Sequence, residues 1–176
     1  MARGCAVAIL LASLGPVASA AAPAQLLNKT VSLSFVMQEQ VREPDGRTHD
    51  IQVRINFTDY ISSAGRVFER SSRAVGAMRQ AGNKDPDATR NGIGESRASR
   101  LEGDKLVILN AFASGAIRIV VSFDPSFSSC SAEILMAREG RGPIRRKGLD
   151  GITRDILSAT PSAPSCSVRQ GNAFAN

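Results

Sequence analysis

The sequence predicts an all-β fold, a small antiparallel β-barrel of about seven or eight strands, and three observations predict it. Apolar and polar residues alternate with a period of two over most of the chain, the spacing that buries one face of a strand. Turn signals rich in glycine, proline, aspartate and asparagine separate those runs. No apolar stripe of helical spacing and ordinary helical length interrupts them. A β-sandwich is the alternative that the same pattern allows. Closure into a barrel is preferred because it removes exposed sheet edges, which otherwise invite aggregation.

The elements follow in order. Residues 1–4 carry one positive charge, Arg3, and an apolar stretch follows from Cys5 to Leu14 before Gly15 and Pro16 break it. Ala18, Ser19 and Ala20 then supply the small residues that a signal peptidase requires. This layout predicts a secretory signal peptide cleaved after Ala20. The apolar run is about half of the roughly 20 residues that span a bilayer, so it is not read as an anchor. Residues 1–20 are thus expected as a cleavable signal and 21–176 as a single exported β domain, with room for one sizeable core. Removal of the signal takes one of 22 basic residues and none of 16 acids, so 21 against 16 leaves a charge of +5.

Val31, Leu33 and Phe35 alternate with Ser32 and Ser34, and Ile51, Val53, Ile55 and Phe57 alternate with Gln52, Arg54, Asn56 and Thr58. Pro44, Asp45 and Gly46 make a turn between these two strands. Residues 62–65 turn the chain into a third strand over 66–73, which gives a second antiparallel pairing. The polar, glycine-rich stretch 76–97 reads as one long loop, a feature that in compact domains is usually functional or mobile. Strands resume over 106–112, over Ile117, Ile119, Val121 and Phe123, and over 130–137, with turns at Gly103-Asp104 and Asp124-Pro125-Ser126. Residues 152–157 read as one or two helical turns, and 159–164 as an irregular tail tethered by Cys166.

Cysteine usage agrees with export. Cys5 leaves with the signal, and Cys130 and Cys166 remain. In an oxidising compartment they are expected to form one disulfide. Closing a loop of about 36 residues would stabilise the fold by roughly 3–4 kcal/mol in the chain-entropy model. A redox pair would need two cysteines close in sequence, which this spacing does not offer.

Few residues suggest chemistry. His49 is the only histidine and no nucleophile motif accompanies it, so it reads as solvated. With both cysteines bridged, a zinc site lacks ligands. Asp45, Asp50, Asp59, Asp85 and Asp87 lack the spacing of a calcium loop. Gly92 and Gly94 begin a dinucleotide fingerprint, but Arg97 stands where its third glycine belongs and no βαβ unit surrounds it. Asn28-Lys29-Thr30 and Asn56-Phe57-Thr58 match the glycosylation pattern and read as accidental. The chain has no tryptophan and one tyrosine, Tyr60, which weighs against aromatic platforms for sugars or nucleobases. No cofactor, metal or catalytic set is expected.

One run stands above background. Arg138, Arg141, Arg145, Arg146 and Lys147 face a single acid, Glu139, over ten residues that also hold two glycines and Pro143. It reads as a basic loop following a strand. Arginine's planar fork suits carboxylate and phosphate ligands, so these five residues are the candidate ligand-binding site; ordinary solvated surface is the alternative. The expected function is a non-enzymatic binding module, periplasmic or secreted, for an anionic or envelope ligand or a protein partner. Candidate partners are an anionic envelope polymer, a membrane surface or a protein, with no specific nucleic-acid recognition. A structural envelope protein or secreted inhibitor acting through surface loops is the second reading. A small hydrolase using carboxylates such as Asp50 or Asp59 is the third. A deep apolar cavity would favour the first, a filled interior the second, and a cleft with two facing carboxylates the third.

Overall fold

The computed structural model describes residues 22–81, 93–112, 115–138 and 142–175. The expected signal peptide and the centre of the expected long loop lie outside the described residues. Among them every element is a strand except one 3-10 turn, Ala24–Leu26.

Two strands of 14 residues, β1 (Lys29–Arg42) and β2 (Thr48–Ile61), pair antiparallel along their whole length. Between them Gly46 takes a φ of +89°, a conformation that costs glycine little, and the Asp45 carboxylate accepts the Arg47 N–H at 3.1 Å. β3 (Val67–Val75) pairs with β2, and β4 (Met78–Ala81) and β5 (Gly94–Glu95) pair with β3. The stretch expected as loop therefore contains a strand at either end. β6 (Ser99–Glu102), β7 (Lys105–Phe112), β8 (Gly115–Phe123) and β9 (Cys130–Arg138) form a separate antiparallel meander. β10 (Ile144–Lys147), β11 (Thr153–Pro161) and β12 (Ser165–Gln170) return to the first sheet.

The described residues thus hold twelve strands where the pattern gives about seven or eight. β4, β5, β6 and β10 are each four residues or fewer, too short for alternation to register. Residues 152–157 do not turn helically; most of them belong to β11, as does the start of the expected irregular tail. Pairing with β1 decides that outcome, since strand formation depends on neighbours more than on local preference.

The larger sheet runs β10-β11-β1-β2-β3-β4, with β12 also on β1 and β5 also on β3. It curls into a half-barrel. β1 is shared end to end: Lys29–Ser34 pair with β12, and Met37–Arg42 pair with β11. Pro161 ends β11, and the Ser162 N–H donates to the Val36 carbonyl at 2.7 Å across the break. The register with β1 skips Leu157 between Gln40 and Val41, a bulge that adds bend and twist.

The four-stranded sheet packs on the concave side. Cys130 on β9 and Cys166 on β12 form the expected disulfide, with Cα atoms 5.5 Å apart, along one seam. At the other seam the Ser99 hydroxyl of β6 donates to the Glu69 carboxylate of β3 at 2.5 Å. Between the sheets lies one shared core: Val31, Leu33, Phe35 and Met37 of β1, Val53, Phe57 and Ile61 of β2, and Leu106, Ile108, Ile119 and Val121 of the second sheet. Each such fully buried side chain contributes about 1.5–3 kcal/mol by leaving water.

Candidate functional site

Charge stands on inward positions of the half-barrel. The inward row of β1 is Val31, Leu33, Phe35, Met37, Glu39 and Val41, all buried, so Glu39 is a carboxylate set into an apolar series. In β3 the row that begins with buried Val67 reaches half-buried Arg73. The short strand β10 turns Ile144 and Arg146 to its half-buried face and Arg145 and Lys147 to its exposed face.

Pairing of β10 with β11 aims Arg146 at Glu39. The guanidinium meets the carboxylate fork to fork, Nη1 to Oε1 at 2.8 Å and Nη2 to Oε2. Such bidentate, charge-assisted bonds fix orientation as well as energy. Glu39 is 3% exposed and the Arg146 side chain 33%, so the pair lies at the boundary of the core. Burial, and then the like charge of Arg146, hold the Arg73 guanidinium below the usual arginine value, with Glu39 compensating in part. Arg146 therefore binds the buried carboxylate, and Arg73 lies within the field of both charges.

These side chains wall a chamber of about 360 Å³ between the two sheets. Phe35 and Phe57 line it from the half-barrel, and Ile117 and Met136 from the second sheet. A second hollow of about 200 Å³ continues along the half-barrel alone, against Val41, Ile51 and Met78. Arg73, Arg146 and Ile156 border both, so the guanidinium pair stands where the hollows meet.

The rim is neutralised locally. Asp155 accepts from Arg42 at 2.9 Å and from Arg145 at 3.2 Å, and the Arg42 bond leads in holding its carboxyl below the usual range. Arg154 donates to Asp150 at 2.6 Å and to Glu43 at 2.7 Å. Those bonds raise the Arg154 pKa, while the Arg154 bond first and then the Ile152 N–H lower that of Asp150 to about 2.

The five basic residues singled out by sequence do not act as one surface. Arg146 is the member turned inward, and Arg145 lines the chamber at its rim while bound to Asp155. Lys147 is exposed on β10. Arg138 ends β9, and Arg141 lies outside the described residues. The expected loop is in its second half a strand, because 144–147 find backbone partners on β11. Arg73 and Glu39 were not legible as members of the site from charge clustering. Their signal is of another kind, a charge at an inward step of a period-two row.

Of the remaining candidates, His49 borders the smaller hollow together with Arg73 and Arg146, and the others lie elsewhere. His49 sits 3.6 Å from Glu43 with its side chain 46% exposed. Asp50 is exposed at the start of β2, while Asp59 is buried opposite Glu69 and lines none of the described cavities. Two carboxylates do face one another, then, but inside the core and not across a cleft. A broader depression of about 520 Å³ opens near the β2–β3 turn. Its charged rim residues are paired, Arg66 with Glu95 across the rim at 3.3 Å and Arg100 with Glu102, which does not line it, at 2.6 Å. Comparison with protein-family models, with curated proteins and with solved structures gives no match.

Proposed function

We propose that this chain is an exported, non-enzymatic binding module that holds a small anionic ligand between Arg73 and Arg146, at the junction of the two hollows. The half-barrel and the second sheet serve in this reading as one small barrel, its seams closed by the disulfide and by the Ser99–Glu69 hydrogen bond. One observation carries the proposal: the fork-to-fork pair of Arg146 with buried Glu39 stands in the wall of a largely apolar chamber that Arg73 also lines. Paired arginines in a partly dry site bind a carboxylate or phosphate oxygen more strongly than they would in water. The chamber volume falls in the range of about 300–1,000 Å³ that small-ligand sites occupy. Export is supported by the disulfide, since such bridges persist in oxidising compartments.

Anilinonaphthalene sulfonate, an apolar ring system with one anionic group, tests the reading by fluorescence. Saturable binding to the folded chain is expected, weakened at least tenfold by Arg73→Gln. Equal binding by the wild type and the variant would reject the site.

A further inference from the structure

We infer that the seam between β3 and β6 is a proton-operated latch. With a proton on Asp59 the second sheet stays closed against the half-barrel there, and loss of that proton opens this seam while the disulfide holds the other. The latch is independent of the anion site and gives the barrel a way to open.

Two acids stand where the strand rows are otherwise apolar. One face of β2 carries Val53, Ile55, Phe57, Asp59 and Ile61, and in β3 buried Val67 is followed at the next inward step by Glu69. Antiparallel pairing sets Asp59 directly opposite Glu69, and both are buried. Like charges directly opposite one another on a sheet repel, and the more so in a dry place. Neither carboxyl oxygen of Asp59 has a hydrogen-bond partner. A carboxylate buried without donors is far less stable than the neutral carboxyl.

The elements around the pair bring little countercharge. On β1 the residue opposite Asp59 is Val31, and Lys29 of the same row donates to the Phe127 carbonyl at 2.6 Å. On β3 the neighbouring Arg70 is exposed and lies over the Phe174 ring. On β5 Gly94 stands opposite Glu69, while Glu95 is exposed and bound to Arg66. Arg97, between β5 and β6, is exposed. On β6 Ser99 meets the pair, and Arg100 and Glu102 are exposed and bound to each other. The residues that the second sheet buries in the core, Leu106, Ile119 and Val121 among them, are apolar.

The same acids fasten the second sheet. The hydroxyls of Ser96 and Ser99 both donate to Glu69 Oε2, at 2.7 and 2.5 Å. Ser96 Oγ in turn accepts the N–H groups of Ala98 and Ser99 at 3.1 and 2.8 Å, so the link from β5 to β6 is folded about the group that holds Glu69. Both serines also line the depression of about 520 Å³, which brings solvent space up to the donors of Glu69. When Asp59 ionises, admitting water relieves the pair, and the route already bordered by solvent runs past these two serines. The backbone there resists little, because β5 pairs with β3 over two residues. At the other seam the Cys130–Cys166 bond stays shut, so the second sheet swings about it.

Amide hydrogen exchange of the folded, oxidised protein tests the latch, read residue by residue from about pH 4 to about pH 8 and corrected for intrinsic rates. An opening that releases one proton grows by up to about tenfold per pH unit between the open and closed pKa values of Asp59. Protection of the Ser96 and Ser99 amides should fall by up to that factor per unit and then level off. The amides of β1 over 29–34, which have strands on both sides, should stay at least a hundredfold better protected at every pH. Asp59→Asn cannot ionise and should hold seam protection constant across the range. Glu69→Gln keeps an acceptor for both serines and removes the like charge, so its fall should level off at a lower pH; it carries the test if the first variant does not fold. Seam and β1 amides losing protection in parallel would show that the proton governs global unfolding alone, and would overturn the latch. Seam protection that ignores pH in the wild type, or a fall left unchanged by the variants, would overturn it as well.

Discussion

Asp59 lies directly opposite Glu69 in the pairing of β2 with β3, and the two carboxyl groups are 1% and 5% exposed. The hydroxyls of Ser96 and Ser99 both donate to Glu69 Oε2, at 2.7 and 2.5 Å. Neither oxygen of Asp59 has a hydrogen-bond partner. Burial first, and then the charge of Glu69, push Asp59 well above its usual carboxylate value, and the nearby Ser99 hydroxyl offsets only part of this. Two carboxylates in one dry place cannot both ionise cheaply, and a single proton on Asp59 relieves the pair.

The pH dependence follows with a definite sign. A carboxyl whose folded pKa is raised holds its proton in the folded state after the unfolded chain has released it. Its contribution is full below the usual value of 3.8 and is lost as pH climbs through the folded value. Stability should therefore fall with rising pH above about 4, by up to roughly 1.4 kcal/mol per pH unit while Asp59 is the group titrating. Asp59→Asn keeps a hydrogen donor opposite Glu69 and cannot ionise. It should flatten that slope and gain on the order of 1–3 kcal/mol at neutral pH. Urea denaturation of both proteins across pH 4–8 reads the difference, and parallel profiles would dismiss the shared proton.

Glu39 and Arg146 should behave as a coupled pair. Each single change to glutamine breaks the buried pair, at a cost of roughly 3–5 kcal/mol, with the partial exposure of Arg146 and the nearby charge of Arg73 favouring the lower end. The double variant should lose clearly less than the sum of the single losses. Chemical denaturation of the four proteins measures the coupling, and additive losses would show that the ion pair holds β10 only weakly.

Serine at Cys130 or Cys166 should lower stability by about 2–5 kcal/mol, which for a chain of this size moves the melting temperature by about 4–20 °C. The far-ultraviolet spectrum should stay that of a β protein, since the strands flanking the seam keep their other neighbours. Thiol titration of the unfolded, unreduced wild type should find no free sulfur among the mature cysteines.

Export predicts a particular mass. The form recovered from the periplasm or the medium should begin at Ala21, a short step before Leu26, the first residue buried in the core. Intact mass spectrometry decides it, and a soluble form retaining Met1 would count against cleavage.

Much of this architecture is written in the period-two rows. Val31 to Phe35 and Ile51 to Phe57 bury one face wherever they occur, because alternation forces it, and Pro44-Asp45-Gly46 supplies the φ that a hairpin between them needs. The candidate site was only half legible. The basic run is visible as composition, and Arg146 within it proves to be the inward member. Its neighbours Arg145 and Lys147 differ from it solely by the parity of one short strand. Glu39 and Arg73, like Asp59, are exceptions to otherwise apolar rows, and such exceptions mark buried charge more directly than local charge density does.

By itself the sequence determined the class of fold, the turns, the disulfide pairing and the inward face of each long strand, since these depend on residues near in the chain or on there being just two cysteines after the expected signal. Tertiary structure decided what lies far apart: that 153–161 extend along β1 and do not coil, that 144–147 join an edge, and that Arg146 reaches a carboxylate 107 residues away. Local pattern says which way a side chain points, but its partner is set by how strands from distant segments register across the sheet, and a shift of one residue there would turn Arg146 to solvent.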